Sequence, residues 1–417
     1  MYSRHRTSEK SGEKDMEDPL MKDVSIYISA VLLKACGAWM ETGKYAEYRR
    51  IFISQYTNVL LAFGVYVNMT DCYYSWGDLG HCIFVCLIAL AIVLGSIKYA
   101  NLNVRRKAVA DILQSARKLI WLQNYNEEEK NIFLVCQKLS KYYAYLLYWV
   151  AQFTFIGYVS APLIANIGRN KSDRLFPYRM WLDLPLTETP YYELTFTVQA
   201  MCVCQMCVVY IGNDTICGVL NIHIIGQFRI LQQRLLKLWP SQEDEANEIR
   251  YTHDYYTRMK TCIRYHQKLI DFSNDLESIF ALPILAHIIV FSMMMCFNIF
   301  ELLLVKVPFA IQVVSIFQIV GSTIHVLIVT YMCDGLMEES GNVGMVSYTG
   351  WWMNCPMNRT GVRLRHNLRI IMMRSARPCR LTAGGFFPVT METSTALFSS
   401  TMSYFTLIRN SSMAESA

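Results

Sequence analysis

Charge is what this sequence has least of. Only 17% of its 417 residues are Asp, Glu, Lys or Arg, against about 25% in an average soluble chain. The deficit is local. No charged residue occurs in 51–70, 79–97, 142–168, 194–213, 278–300 or 307–333, and a seventh stretch, between Arg380 and Arg409, holds only Glu392. Such runs exclude a soluble enzyme, a disordered chain and a secreted disulfide scaffold. A phosphate-binding glycine loop, a nucleophile elbow and a zinc-binding motif are missing too, so no catalytic residue, cofactor or metal is expected. The net charge of +6 is too small to suggest a nucleic-acid partner. The first 23 residues are polar and lack the apolar core of a signal peptide, so the N-terminus is expected to stay in the cytosol.

What is present is length and apolarity. Hydrophobic residues make up 53% of the chain. A membrane helix needs about 20 apolar residues, and a backbone in lipid must satisfy its own hydrogen bonds, which makes each run a helix. The expected fold is an all-α, seven-transmembrane protein. Its layout is a cytosolic segment 1–50, spans 1–6 over 51–333 in the six charge-free windows, a cytosolic loop 334–384, span 7 over 385–408 and an outer tail 409–417. The run 24–33 (VSIYISAVLL) is too short to cross; it lies at the interface or dips in partway. Orientation follows from the basic residues. Residues 1–50, 98–141, 214–277 and 334–384 hold 33 of the 39 Lys and Arg, and the opposite side holds 6. The excess marks the cytosolic side and puts the C-terminus outside, the reverse of a G-protein-coupled receptor. The Asp-Arg-Tyr and Asn-Pro-x-x-Tyr signatures of that class are also missing, so no G protein is expected.

Span 7 differs from the others. PVTMETSTALFSSTMSYFTLI (Pro388–Ile408) carries nine Ser or Thr hydroxyls besides Glu392. Glu392, Thr395, Ser399, Ser403 and Thr406 recur every three or four residues and so share one helix face. A wet face opposite an apolar one suits a pore-lining helix; close packing through hydroxyls is the alternative. Before it, 359–377 sets Val362, Leu364, Leu368, Ile371 and Met372 near one face among arginines. This is an amphipathic helix for the membrane surface or for other copies of the chain, ended by Pro378. Gly384-Gly385 then turns the chain into the span.

Other signals carry less. Cys202, Cys204 and Cys207 lie inside span 4, where buried cysteines act as small hydrophobes; Cys72 and Cys82 lie near enough in sequence to pair. His287 and His325 sit alone in their spans, and Glu392 is the one charge within a span. Of the glycosylation sequons, only Asn170 is well placed on the outer side.

The run SARPCRLTAGGFFPVTMETSTALFSSTMSYFTLI (Ser375–Ile408) resembles the C-terminal signature of insect odorant receptors. The inverted seven-span topology is similar over the whole chain, as is the long outer loop ending in Pro190-Tyr191-Tyr192-Glu193-Leu194. Gustatory receptors share that fold but end in a Thr-Tyr, five apolar residues and Gln-Phe, whereas FTLIRN follows Tyr404 here. The universal odorant co-receptor is longer, mainly in its span 4–5 loop. The chain therefore looks like a variable, ligand-tuned subunit.

That resemblance implies a ligand-gated non-selective cation channel, assembled with the co-receptor as a tetramer around one pore lined by span 7, in the plasma membrane of sensory-neuron dendrites. The gate positions it implies are Leu407 and Ser411, with Asn410 between them and Ser403 and Tyr404 before. Ser411 departs from the apolar side chain that the co-receptor has at this position. The implied ligand is a small apolar volatile in the outer half of spans 2, 3, 4 and 6. Phe84, Leu87, Gln152, Phe155, Tyr158, Val159, Met201, Gln205, Phe309, Val313 and Ile316 are the candidates. Buried area supplies affinity at roughly 25 cal/mol per Å², and Gln152 or Gln205 offers an amide to a ligand oxygen. A gustatory-type channel and a seven-span transporter remain as alternatives, although no internal repeat favours the latter.

Overall fold

A computed structural model describes residues 20–40, 43–77, 79–170, 174–178, 180, 185–238, 248–304, 309–349, 352, 357 and 359–415. These form α1 (Val24–Ala35), α2 (Lys44–Tyr74), α3 (Leu79–Val104), α4 (Arg106–Ala116) and α5 (Glu127–Ala165), then α6 (Tyr191–Leu236), α7 (Glu248–Leu304), α8 (Phe309–Tyr348), α9 (Arg359–Ser375) and α10 (Met391–Glu415). A hairpin of β1 (Thr382–Ala383) and β2 (Phe387–Pro388) precedes α10, with Thr382 opposite Pro388 and Ala383 opposite Phe387.

Six helices, α2, α3 and α5–α8, are long and apolar enough to cross a membrane, and α10, with 25 residues, is the seventh span. Several run far beyond the charge-free windows. α6 has 46 residues and α7 has 57, so they extend about 69 and 85 Å at 1.5 Å per residue, against a bilayer core of about 30 Å. The regions read as cytosolic loops are therefore mostly helix, and the inner halves of these long helices pack into one dense body.

Local chemistry sets the element ends. Asn126 caps α5: its Oδ1 accepts from the Glu129 backbone at 2.8 Å, and Glu129 Oε2 accepts from the Asn126 backbone in return, a capping box. Arg234 of α6 then clamps the same carboxylate through Nε (2.7 Å) and Nη2 (3.0 Å). Asp23 caps α1 through the Ser25 N–H at 3.0 Å. It also accepts from Ser25 Oγ, from Gln137 of α5 at 3.2 Å, and lies 3.4 Å from His223 of α6. Burial pushes this carboxyl up, but His223 and Ser25 outweigh it and hold the pKa down at about 2.

α5 and α6 approach closely because Gly218 has no side chain. A Cβ there would fall 2.3 Å from Cε1 of Tyr143. The amphipathic helix lies on the protein's own core: Leu364, Leu368 and Ile371 of α9 are buried, while Val362 is exposed. α9 ends at Ser375, three residues before Pro378. The short apolar run is α1, whose Ser25, Ile26, Ser29, Ala30, Leu32 and Leu33 are buried. Span 7 begins after the hairpin, and the expected outer tail continues its helix to Glu415, because no breaker follows Arg409 until the chain ends.

Candidate functional site

Within the bundle lies an apolar cavity of about 200 Å³, below the roughly 300 Å³ at which drug-sized pockets begin. α2 contributes Leu60, Leu61 and Gly64; α3 contributes Ile88 to Leu94; α5 contributes Leu146 to Tyr158. α6 supplies Cys202 to Ile211, α7 His287 to Met294, and α8 Phe317 to Ile328. Its outer end is closed by the loop before α6. Tyr178 is 1% exposed and lines the cavity, and its backbone N–H donates to Gln199 Oε1 at 3.3 Å. Asn166 holds the loop from below, accepting from the Leu175 N–H at 2.7 Å and donating to the Leu175 carbonyl at 2.9 Å. Arg174 stacks on Tyr192, 4.7 Å from its ring centre.

The inner end is ionic. Lys98 of α3, 1% exposed, donates to Asp214 of α6 at 2.8 Å to Oδ1 and 2.7 Å to Oδ2. Its ammonium also lies 3.6 Å from the centre of the Tyr210 ring. His287 of α7 and His325 of α8 pack edge to face, 4.9 Å between ring centres, and Tyr210 Oη is 3.0 Å from His287 Nδ1. The histidines read as solitary therefore meet across two helices, beside the buried Lys98–Asp214 pair. Lys98 and Asp214 stand at the ends of charge-free windows but in the middle of continuous helices. Asp214, His287 and His325 each bring a ligand atom within 4.8 Å of the others, a spacing a metal ion could use. The Lys98 ammonium already supplies the positive charge against both Asp214 oxygens. A smaller cavity of about 40 Å³ lies on the other side of this cluster, lined also by Leu381 and Val389, which flank the hairpin before α10.

The hairpin is held to α7. Gly384 N–H donates to the Ala281 carbonyl at 2.9 Å, and Thr382 Oγ1 donates to Glu277 at 2.7 Å. Gly384 has φ +62, and a Cβ there would lie 2.6 Å from Leu285 Cδ2. Beyond it, α10 turns Ser394, Thr401 and Phe405 inward. Glu392, Thr395, Ser399, Ser403 and Thr406 are all exposed on the protomer. Tyr404, Leu407 and Asn410 are exposed as well, and the side chain of Ser411 lies outside the described residues.

Of the candidate ligand residues, Tyr158 lines the cavity. Phe84, Leu87, Gln152, Phe155, Val159, Met201 and Gln205 do not, and Val313 and Ile316 are about half exposed; the Phe309 side chain lies outside the described residues. Gln205 is engaged elsewhere, donating to Thr57 Oγ1 at 2.7 Å and to the Ala35 carbonyl at 3.3 Å. On α3, α5, α6 and α8 alike the lining sits one or two turns nearer the cytosol than expected, because the outer loop fills the mouth. The contributions of α2 and α7 were not foreseen. A glycine facing bulky neighbours (Gly64 against Ile92) was the available hint. Asn170 is exposed, although the rest of its sequon lies outside the described residues. Asn68 is buried and donates to the Gly64 carbonyl at 2.8 Å. Cys72 and Cys82 form no disulfide with each other.

Comparison with known proteins agrees with this architecture. Residues 79–402 match the family model described as "7tm Odorant receptor". Odorant receptor 13a of Drosophila melanogaster is 23% identical over 411 residues, covering 93% of this chain and 96% of the relative. Odorant receptor Or2 of Anopheles gambiae is 23% identical, covering 81% and 86%. Odorant receptor 30a of Drosophila melanogaster is 25% identical over 61% of this chain and 63% of its own. The insect olfactory receptor OR5 of Machilis hrabei, solved in complex with eugenol, superimposes with a TM-score of 0.80 at 12% identity, covering 94% of this chain and 98% of that one. With the family model spanning most of the chain and the same multi-pass helical fold beneath it, this protein belongs to the seven-transmembrane odorant receptor family.

Proposed function

We propose that the chain is the ligand-tuned subunit of an odorant-gated, non-selective cation channel, assembled with the odorant co-receptor in a tetramer. The observation that carries this reading is the α10 face of Glu392, Thr395, Ser399, Ser403 and Thr406. It is the polar face of a span, and among the described residues nothing covers it. Polar faces in spans belong on water-filled paths or in helix interfaces, and a ring of such helices from several subunits provides the path. Ser403, Tyr404, Leu407, Asn410 and Ser411 then line its outer end, with Leu407 as an apolar constriction that gates by dewetting. A small volatile occupies the cavity, and its presence is passed to α10 through the ionic floor and the hairpin that borders the second cavity. The channel works in the plasma membrane of sensory dendrites, with Asn170 glycosylated on its outer side.

Whole-cell current in a heterologous cell, with and without the co-receptor, tests this while a panel of volatiles is applied. A prompt inward cation current that needs both proteins is the expected result, and Leu407→Ala should add current in the absence of ligand. Surface-expressed protein that gives no current to a broad panel would remove the channel reading.

A further inference from the structure

The cavity wall is apolar except for a few polar groups, and most of those are already committed. Thr154 Oγ1 donates to the Val150 carbonyl of its own helix at 2.9 Å, and Ser322 Oγ donates to the Gln318 carbonyl. Tyr210 belongs to the ionic floor. The Tyr178 hydroxyl and His287 Nε2 are buried atoms with no hydrogen bond among the described residues, and His325 Nε2 lies 3.4 Å from Asp214 Oδ2. Gln318 of α8 is different. Its Oε1 accepts from the Tyr158 hydroxyl of α5 at 3.3 Å, and both side chains line the cavity. In this arrangement the amide oxygen is the end that faces Tyr158. The amide nitrogen carries two donors, and no described residue accepts from it.

We infer that Gln318 is the head-group reader of this receptor: its amide nitrogen donates to an acceptor oxygen, so the ligand class is a small volatile with one carbonyl or ester oxygen on an apolar body. This rests on the channel reading above. Three features support the class. The cavity is of a size for a small molecule. Its remaining lining gives affinity without direction, through buried apolar area. A site built to hydrogen-bond a ligand rejects an analogue lacking that group, because its own polar atom is then left dry and unpaired. Tyr158 is a positioning residue: it holds the amide so that the nitrogen faces inward, and it joins α5 to α8 across the cavity.

The test compares an alkane, a ketone and an alcohol of one carbon skeleton, applied to cells expressing the chain with the co-receptor. For the wild type the ketone is expected to act at about tenfold lower concentration than the alkane, the equivalent of one hydrogen bond. Gln318→Met keeps the length but removes the donors, so the ketone-to-alkane ratio should collapse by about the same factor. Gln318→Glu is the second variant. It still accepts from Tyr158 but offers the ligand only acceptors, so the ranking should turn toward the alcohol, which can donate. Surface labelling normalises each variant. A purely structural role for Gln318 predicts a uniform shift for all three ligands and an unchanged ranking in both variants, and that result would overturn the assignment alone. A wild type that responds equally to alkane and ketone would overturn it as well. A wild type silent to every volatile overturns the channel reading itself.

Discussion

From Tyr191 to Tyr210, α6 buries only Tyr192, Gln199, Cys202, Gln205 and Val209. From Ile211 to Leu235 its residues are buried almost without a break, polar ones such as Asn213, Thr215, Asn221, His223 and Gln227 included. The same helix thus serves two environments. Its outer half is exposed on one side and borders the cavity on the other, so it tolerates an apolar surface loosely filled. Its inner half is the axis of a dense body that also encloses polar groups, and Asn213, Asn221 and Gln233 each keep a buried amide oxygen with no hydrogen bond among the described residues. Gln227 is engaged at both ends: its Nε2 donates to Tyr125 at 3.0 Å, and its Oε1 accepts from Tyr265. The first half leaves open space beside it, whereas the dense packing is concentrated in the second. The Lys98–Asp214 cluster stands at the border.

That contrast is broken most severely at the border. Asp214→Asn leaves the buried Lys98 ammonium without its counter-charge, which should cost about 3–5 kcal/mol. Thermal unfolding of detergent-extracted protein and surface labelling should both show the loss. Replacing both partners, Lys98→Met with Asp214→Leu, should recover most of it. Gly384→Ala comes next, at about 2–3 kcal/mol, since it strains a positive φ and drives a Cβ onto Leu285; the same melting curve reports it.

The inner half also has an acid limit. The folded pKa of Asp23 is depressed from 3.8 to about 2. Its stabilisation is therefore complete above the unfolded value and disappears as pH falls through about 2. The contribution is about 2 kcal/mol. The melting temperature should be level above about pH 5 and decline below it, and Asp23→Asn should lower the plateau and flatten that decline. The outer half should respond in the opposite manner. Gly321→Ala places a Cβ 3.5 Å from Val150 Cγ1, an ordinary contact at the cavity wall. Stability should hold or rise by up to about 1 kcal/mol, while the concentration needed of the bulkiest active volatile rises a few-fold in dose–response curves. A large loss of stability there would mean that the outer half is packed as tightly as the inner.

Reading the chain from end to end found the spans, their orientation and the polar face of α10, because each of these depends on neighbours along one helix. The same reading misjudged Gln205. A lone amide in an apolar run looks like a ligand group until Thr57 and Ala35 of other elements are seen beside it. It also treated His287 and His325 as isolated, since their partners Tyr210 and Asp214 lie on a third helix. The cavity's depth was missed for a related reason. Nothing local says that the loop carrying Tyr178 folds inward and moves the open space one or two turns toward the cytosol.

By itself, the sequence determined how many helices cross the membrane, which way they run and which face of the last one is polar. Lipid imposes these as conditions on each segment separately: about 20 apolar residues, basic ends on the cytosolic side and a self-bonded backbone. Only the tertiary structure decided where the cavity lies, which glutamine faces it, and that Lys98 finds Asp214 116 residues away. Those outcomes depend on the distance between helices, which is set by side chains such as Gly218 and Tyr143 meeting from opposite sides. No periodicity within one helix records that distance.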